Sequence, residues 1–509
     1  MKNLPYALTV DAVSGRGRAP HPRGDRPMPD FPTPPFRRAA ARAAAAVCIA
    51  VLAVAGAVPE SPAREVPLPA QPPAASATQP MIPEALLRPG AAVTMAQVVE
   101  IALDNNPLTQ ASYRQALSAA ALFGSKKAPY YPTLNATASF TRSNNLFLSP
   151  TTTTTLDTYG PALTLNYLLL DLGGRAANAE NARLGLIAAD WNHNATIQNV
   201  ILGVETTYVG YLDAKAQLDA ATVDVTQAQA ALDAATSRHD AGLATIAEVL
   251  QARTALSQAH LSQQTADGQV LALRGALATA MGLPANTPYD VGRLPADLPL
   301  DHATGAVEDL IATARLRRPD LEAARALAAK AAVHVKAVRS DGLPALSLAA
   351  TAGRTYYNPT LATGNRNTWS ASALVTIPLF TGFANTYNIR QAVADAEVAK
   401  AQANSLDQQV VLEVWQSYYA FKTSTQLVKT SRDLLASAEE SERVALGRYK
   451  EGVGTIIDLL TAQAALANAR AQEIYARSSW YVAVAQLAHD TGTIPPLNQP
   501  IEVTKKAGE

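Results

Sequence analysis

The sequence predicts an internally duplicated α+β fold in which pairs of amphipathic β-strands alternate with very long α-helices. Three observations support this prediction. The stretch RYKEGVGTIIDLL at residues 448–460 resembles RHDAGLATIAEVL at residues 238–250, with the same residue at five of the thirteen positions. Segments of about ten residues alternate between apolar and polar side chains, which is typical of strands. Two proline-free reaches of roughly 65 residues are rich in Ala, Gln, Leu and Glu, which favour helix.

The duplication extends through most of the chain. A shift of 210 positions relates Gly282 to Gly492, and nearer the amino end a shift of 212 relates Pro132 to Pro344. The period is far longer than the 20 to 50 residues of solenoid repeats, so each copy is a structural unit in its own right. The two copies are residues 93–290 and 300–492, followed by a tail at residues 493–509.

The amino-terminal region is predicted to be a leader. Basic residues precede an apolar run that ends at Ala57, and the one cysteine of the chain, Cys48, lies inside it. This pattern is typical of a secretory signal, so residues 1–57 are interpreted as leader and signal peptide, with Met28 as a candidate start; a membrane anchor is the alternative. Removal of this segment leaves an exported chain that has no cysteine and needs no disulfide. The proline-rich residues 58–92 are predicted to form a flexible linker.

Composition argues against several classes of function. Lysine plus arginine total 42 and aspartate plus glutamate total 42, so no net field favours nucleic acid as a partner. The seven histidines are scattered, and no metal site, cofactor site or catalytic constellation is predicted. The glycine-rich LDLGGR at residues 170–175 lacks the GxGxxG spacing and is interpreted as a turn from strand into helix. The chain is therefore not predicted to be an enzyme.

Each copy begins with two short helices. They are predicted at residues 94–105 and 108–127, and at residues 306–317 and 320–340. Pro107 and Pro319 separate the members of each pair, because proline has no N–H and restricts the residue before it.

Each copy continues with a β-hairpin, at residues 132–168 and 344–380. An ordinary sheet packed on helices is one interpretation of the alternating segments PTLNATASFT and WSASALVTI. The other interpretation is that these strands face lipid on one side. The second is favoured because the polar face carries Ser, Thr and Asn rather than Lys and Glu, and because Tyr159, Tyr167 and Trp369 lie near strand ends, like an aromatic girdle.

A long helical hairpin completes each copy, at residues 173–283 and 383–491. Its first helix of about 65 residues is roughly 100 Å long at 1.5 Å per residue. A narrow apolar stripe along it requires helical neighbours. The repeated stretch quoted above is the turn of the hairpin: Gly242 and Gly452 permit the reversal, and Thr245 and Thr455 cap the return helices.

Four strands per chain cannot close into a barrel. Open strand edges are not tolerated in lipid, and about eight strands is the lower limit for closure. The chain is therefore predicted to lend its strands to an oligomer. Three copies give twelve strands and a trimer is the natural closure, although spacing alone does not exclude a dimer.

The order of these features resembles the outer-membrane efflux protein family, the TolC-like channels. The resemblance covers residues 93–492 and is carried by LLLDLGGR at residues 168–175, PLFTGFAN at residues 378–385 and RYxxGxxTxxDLLxAQ at residues 448–463. It implies a homotrimer whose joint 12-stranded β-barrel crosses the outer membrane of a Gram-negative bacterium. It also implies a periplasmic α-helical barrel that meets an adaptor (membrane fusion protein) and an inner-membrane transporter.

The resemblance also implies a gate at the helical turns. Tyr449 takes the place of a gate tyrosine, Glu248 that of its acidic partner, and Asp458 that of an acid that rings the entrance. The alternative for both acids is an ordinary helix-capping role. Gly454 stands where some members of the family have an arginine, and Thr461 stands where some have a second acid. Fewer interactions that keep the gate closed are therefore expected in this chain.

The turns themselves are expected to contact the adaptor. Arg238, Gly242 and Thr245 form the first tip, and Arg448, Gly452 and Thr455 form the second. For the two arginines, neutralisation of helix ends is the alternative. The function expected is a passive exit duct for efflux or type I secretion; the alternative is a periplasmic adaptor or structural coiled-coil protein outside the membrane.

Overall fold

A computed structural model describes residues 92–146, 153–293, 298, 306–358 and 365–494. These residues belong to one compact unit of the chain, Arg64–Glu509. The predicted leader and signal peptide, the linker up to residue 91 and the tail from residue 495 lie outside the described residues.

The described part of the first copy contains four helices and four strands. In chain order they are β1 (Ala92–Val93), α1 (Met95–Asn105), α2 (Pro107–Lys126), β2 (Thr133–Leu146), β3 (Thr153–Leu170), α3 (Gly174–Asp240), α4 (Ile246–Ala280) and β4 (Asp290–Val291).

The described part of the second copy repeats this order without the two short strands. Its elements are α5 (Val307–Arg317), α6 (Pro319–Ser340), β5 (Ala345–Asn358), β6 (Arg366–Thr376), α7 (Ala384–Lys450) and α8 (Ile456–Asp490). The long helices α3 and α7 both have 67 residues, and the return helices α4 and α8 both have 35. The bounds of these four helices differ by the predicted 210 positions, so the duplication of sequence is a duplication of structure.

The predicted proline breaks are confirmed, with one difference. Pro107 and Pro319 are themselves the first residues of α2 and α6, rather than residues between helices. Proline fits this position because the first N–H groups of a helix have no intrahelical partner. The preceding Asn106 and Arg318 are extended, with ψ of 124° and 118°, as proline requires of its neighbour.

The four predicted strands form one antiparallel sheet in the order β2-β3-β5-β6. Each predicted hairpin is present, and β3 of the first copy pairs with β5 of the second. This order leaves β2 and β6 at the edges of the sheet. The small parallel pair of β1 and β4 was not predicted, because two-residue strands carry no periodic signal.

Both passages from sheet to long helix use two consecutive left-handed residues. These are Leu172 (φ 49°) and Gly173 (φ 104°) before α3, and Gly382 (φ 61°) and Phe383 (φ 64°) before α7. A left-handed residue with a side chain costs about 1–2 kcal/mol. In the first copy, the guanidinium of Arg175 donates to main-chain carbonyls at the end of β3 and holds the corner. The interpretation of LDLGGR as a strand-to-helix turn is confirmed.

The four long helices pack side by side in the order α4-α3-α8-α7. The apolar stripes predicted for α3 and α7 form their buried faces, and Val204, Val410, Val414 and Val428 are almost wholly inaccessible. In the part of the chain that the structure describes, none of the helices combines the length and the apolar character needed to span a bilayer. The helices α4 and α7 are the outer members of the row, as β2 and β6 are of the sheet.

Candidate functional site at the helical turns

Each long helix reverses into its return helix through a glycine in the left-handed conformation. Gly242 has φ 76° and Gly452 has φ 77°. The amide of Leu243 donates to the carbonyl of Arg238 over 2.8 Å, and that of Val453 donates to the carbonyl of Arg448 over 2.9 Å. These bonds close the end of each long helix as in a Schellman motif, and the predicted role of the glycines is confirmed.

The return helices begin with capping boxes. The amide of Asp458 donates to the Thr455 hydroxyl over 3.1 Å, and the amide of Thr455 donates to the Asp458 carboxylate over 3.2 Å. In the first copy, the amide of Thr245 donates to the Glu248 carboxylate over 3.2 Å. The caps satisfy N–H groups that have no partner within a helix. Each acid therefore occupies the helix-capping position considered as the alternative to an entrance ring.

Asp458 is exposed and its charge is stabilised locally. Hydrogen bonds from the side chain and the backbone of Thr455 lower the pKa of Asp458, and the positive charge of Arg448 lowers it further. The carboxylate is therefore ionised and accessible at neutral pH. A fixed negative charge at this position attracts cations wherever several copies bring it together.

Tyr449 lies where the two turns of the chain meet. Only 1% of its surface is accessible. It packs in one apolar cluster with side chains from α3, α4 and α8; these include Ala231, Ala235, Val249, Ala252, Ile456 and Leu459. The contact therefore ties the tip of the second hairpin to the tip of the first.

The hydroxyl of Tyr449 is buried without a hydrogen-bond partner among the described residues. Burial raises the pKa of Tyr449, the nearby Glu248 carboxylate raises it further, and Arg238 opposes them. The hydroxyl is therefore neutral at physiological pH. The predicted tyrosine and acid are neighbours, and the side chain of Glu248 interacts with the Tyr449 hydroxyl, while packing of the ring in the apolar cluster holds Tyr449 in place.

Arg238 supplies the polar part of the link between the two tips. Its Nη1 donates to the main-chain carbonyl of Tyr449 over 3.0 Å, and its guanidinium lies 5.0 Å from the centre of the Tyr449 ring. The same group is next to the second turn, because a Cβ added at Gly452 would lie 3.5 Å from Nη1. Sequence reasoning missed this contact, because it joins residues 211 positions apart through a carbonyl that no sequence pattern marks.

The two copies differ at the positions that flank this link. Arg448, the counterpart of Arg238, is exposed. His239, the counterpart of Tyr449, bonds through Nδ1 to the Ala244 carbonyl of its own turn over 3.0 Å. One copy therefore presents an arginine inward and the other presents a tyrosine inward.

The structure shows what surrounds Gly454 and Thr461, the two residues that depart from the expected gate pattern. Gly454 is tightly enclosed, because a Cβ at this position would lie 3.1 Å from the Cβ of Arg448. A side chain there would require the neighbouring residues Arg448 and Tyr449 to shift by a few tenths of an ångström. Thr461 is exposed on the return helix. Among the described residues there is no grouping of His, Cys, Asp and Glu that could hold a metal ion.

Comparison with known proteins shows which protein family the chain matches. The model of the outer membrane efflux protein family matches residues 98–283 and 310–493, one match for each copy. A relative from Bordetella pertussis, Protein CyaE, is 28% identical over 407 residues, which cover 78% of this chain and 83% of the relative. The toluene efflux pump outer membrane protein TtgF of Pseudomonas putida is 28% identical over 396 residues, covering 74% of this chain and 78% of the relative.

Solved structures share the fold. The outer-membrane channel OprN superposes with a TM-score of 0.71 at 19% identity and covers 78% of this chain and 89% of its own. The outer membrane protein VceC of Vibrio cholerae superposes with a TM-score of 0.70 at 21% identity and covers 78% of this chain and 96% of its own.

Proposed function

Because this chain belongs to the outer membrane efflux protein family, we propose that three copies of it assemble into the passive exit duct of a tripartite efflux system. The duct lies in the outer membrane of a Gram-negative bacterium, and its long helices extend into the periplasm. The chain supplies the conduit, and the energy for transport comes from the inner-membrane partner.

The observation that carries the proposal is the four-stranded sheet with two open edges and exposed apolar side chains. Leu134, Phe140 and Trp369 are 66%, 65% and 83% exposed on strands that alternate apolar with polar residues. Large apolar side chains at this density on a sheet surface are typical of contact with lipid. Unpaired backbone at β2 and β6 cannot remain open in lipid, so neighbouring copies must cover it.

Three copies close the sheet into a ring of twelve strands. Twelve strands exceed the lower limit of about eight strands for a closed barrel. An eight-stranded barrel is filled by its own side chains, whereas a twelve-stranded barrel leaves an interior through which solutes can pass. The row of four long helices per copy closes in the same way into twelve helical stretches. The polar faces of the strands then line a water-filled path.

The link between the turns is proposed to be the gate of the duct. Tyr449 and Arg238 hold the two hairpins of each copy together, with Glu248 beside them. Outward movement of one hairpin would break this contact and widen the entrance. Asp458 from each copy is proposed to ring the entrance and to favour cationic solutes.

The exposed parts of the turns are proposed to contact a periplasmic adaptor. Arg448 and the backbone around Gly242 and Gly452 are accessible at the ends of the hairpins, and Thr245 and Thr455 fix the shape of each tip. Arg238 has a different position, because it is engaged with Tyr449. We expect Arg238 to take part in opening and closing the gate rather than to bind the adaptor directly.

The cargo is proposed to be small molecules. Relatives carry the names toluene efflux pump and antibiotic efflux pump outer membrane proteins. The alternative of a periplasmic adaptor outside the membrane is set aside, because both copies match the outer membrane efflux protein family.

The proposal is tested by fractionation followed by unheated gel electrophoresis. The protein is expected in the outer membrane as a species near three times the chain mass, which heating converts to the monomer. A strain lacking the protein should become more sensitive to toluene and to a panel of antibiotics, and the plasmid-borne gene should restore resistance. A soluble periplasmic monomer, with unchanged sensitivity of the deletion strain, would contradict the proposal.

A further inference from the structure

A groove lies between α2 and α3, where the two helices approach the sheet. Its volume is about 530 Å³. It is lined by Phe123, Lys127, Tyr130, Tyr131, Ala176, Ala179, Glu180 and Arg183. All of these residues belong to the end of α2, the turn that leads into β2, and the first turns of α3. The groove is therefore formed within one chain and does not depend on how copies meet.

One wall of the groove is aromatic and firmly held. The guanidinium of Arg175 lies 5.1 Å from the centre of the Tyr130 ring, and its Nη1 donates to the Pro129 carbonyl over 3.3 Å. The same guanidinium is bonded to the end of β3, so it ties the short 3₁₀ turn Ala128–Tyr130 to the sheet. Tyr130 and Tyr131 nevertheless stay 42% and 70% exposed. The rings are thus fixed in position but uncovered.

The other wall of the groove is basic. Lys127 ends α2, and its Nζ lies 4.0 Å from the centre of the Phe123 ring. Lys126 is next to it and exposed. Among the described residues neither lysine forms an ion pair. Glu180, the one acid among the lining residues, is already paired with Arg183 at 2.7 Å. The groove therefore carries positive charge that no acid of its lining balances.

The second copy lacks this groove. The shift of 212 places smaller or less charged residues at the same positions: Gly342 and Leu343 for Tyr130 and Tyr131, and Val338 and Arg339 for Lys126 and Lys127. A Cβ added at Gly342 would collide with the side-chain amide of Asn385, which fills the space. Asn385 is itself the counterpart of Arg175. The supporting arginine and the supported tyrosine thus differ together between the copies, which indicates that the groove is not a by-product of the shared fold.

We propose that this groove binds the headgroup of an anionic phospholipid from the periplasmic leaflet of the outer membrane. Lys126 and Lys127 bind the phosphate, and Tyr130 and Tyr131 lie against the start of the acyl chains. The inference rests on the proposed function, because it assumes that the sheet crosses the outer membrane. It adds a lipid ligand and the residues that recognise it.

The position of the groove suits a headgroup. Tyr131 is three residues before Leu134, the first of the exposed apolar residues of β2. Tyrosine rings favour this level of a membrane, with the apolar ring toward the chains and the hydroxyl toward water. A lysine stem can lie along apolar surface while its ammonium reaches the polar level. Both parts of a phospholipid therefore meet suitable side chains at one height.

The charge of the groove selects an anionic lipid. Basic pockets beside membrane-spanning segments bind anionic headgroups. A lysine ammonium is a compact charge with three donors, which suits the oxygens of a phosphate. A zwitterionic headgroup carries a cation of its own, which opposes the attraction to the two lysines. Preference for an anionic headgroup is therefore the property to measure.

Native mass spectrometry of the full-length oligomer in detergent counts the bound lipids. The oligomer is titrated with phosphatidylglycerol or with phosphatidylcholine of the same acyl chains. We expect one tightly bound phosphatidylglycerol per chain and weaker binding of phosphatidylcholine. Lys126→Gln with Lys127→Gln should weaken phosphatidylglycerol binding about 30-fold and leave phosphatidylcholine nearly unchanged.

Three further variants serve as controls. Arg339→Gln removes the related cation of the second copy, which is exposed, and should not change the binding of either lipid. Lys126→Arg with Lys127→Arg keeps both charges and should keep the preference for phosphatidylglycerol. Tyr131→Ser should weaken both lipids alike, because the acyl chains that its ring contacts are common to both.

A second measurement separates lipid binding from a purely structural role of the lysines. Cations at the end of a helix also stabilise it by offsetting the helix dipole. Loss of that effect would lower the temperature at which the oligomer dissociates on the gel equally in either lipid. We expect instead that phosphatidylglycerol raises this temperature for the unchanged protein and not for the double glutamine variant.

The outcomes separate the site from the exit duct. An outer-membrane oligomer that binds the two lipids equally, or whose double glutamine variant keeps the preference, would overturn the site and leave the duct standing. An equal loss of phosphatidylglycerol in Arg339→Gln would show only diffuse attraction to basic surface and would also overturn the site. Absence of the protein from the outer membrane would overturn both proposals.

Discussion

Replacing Arg238 with methionine is expected to loosen the contact between the two helical turns and to favour the open duct. The guanidinium donates to the Tyr449 carbonyl over 3.0 Å and lies 5.0 Å from the ring centre. Methionine keeps the length of the side chain but offers neither interaction. The variant therefore isolates the polar part of the link from its packing.

The size of the effect follows from three contributions. A hydrogen bond from a charged group contributes about 1.5–3 kcal/mol, and a cation–π contact about 0.5–1 kcal/mol. The Nε of Arg238 is buried without an acceptor among the described residues, which costs about 1–3 kcal/mol and is relieved in the variant. The central values leave about 1 kcal/mol in favour of the closed contact, or about a fivefold change in the opening equilibrium.

Single-channel recording of purified protein in planar bilayers measures this change as the ratio of open to closed time. The matched control is Arg448→Met, because Arg448 is the related arginine of the second copy and is exposed. The control should change the ratio by less than about twofold, the small effect expected of a surface substitution. If Arg238→Met opened no more often than the wild-type protein, or if both variants opened equally, the link would not be the gate.

Three further predictions concern the same turns. Tyr449→Phe should leave thermal stability and channel opening nearly unchanged, because the hydroxyl it removes is buried without a partner among the described residues; a large increase in opening would show that the hydroxyl bonds in the closed duct. Gly452→Ala should lower the free energy of unfolding by about 1–2 kcal/mol, because φ at this residue is 77°. The control Gly203→Ala, at an exposed helical position with free space around it, should raise the free energy of unfolding by up to about 1 kcal/mol. Thermal melts compare the two variants, and equal effects would contradict the claim that an alanine at residue 452 is strained. The pKa of Asp458 is lowered in the folded chain, so its charge stabilises the turn above the unfolded pKa and this stabilisation is lost as pH falls through the folded pKa. Acidification from neutral pH to about pH 3 should therefore lower the melting temperature of the wild-type protein more than that of Asp458→Asn, and an equal loss would contradict the capping role of Thr455.

Much of the fold is encoded locally and could be predicted. The proline positions, the alternation of strand residues and the long proline-free reaches each act within a few residues of chain, and the observed elements follow them closely. The turns were predicted for the same reason, because Gly242 and Gly452 supply a backbone conformation that other residues adopt at a cost. The short strands β1 and β4 were not predicted, because contacts between distant segments of the chain determine them.

The candidate site was predicted in part. Glu248 and Asp458 were identified as acids at the start of return helices, and their capping bonds are local. The inward position of Arg238 was not predicted, since its two interactions are with a ring and a carbonyl of the other copy. The sequence treats Arg238 and Arg448 as equivalents, and the structure gives them different environments.

The sequence by itself determined the duplication, the kinds of elements and their order, because periodicity and turn chemistry are properties of short segments. Only the tertiary structure decided that β3 pairs with β5, that α3 packs on α8, and that β2, β6, α4 and α7 are left as edges. Two copies of one unit can lie side by side in either order, and chain connectivity selects one order within the molecule.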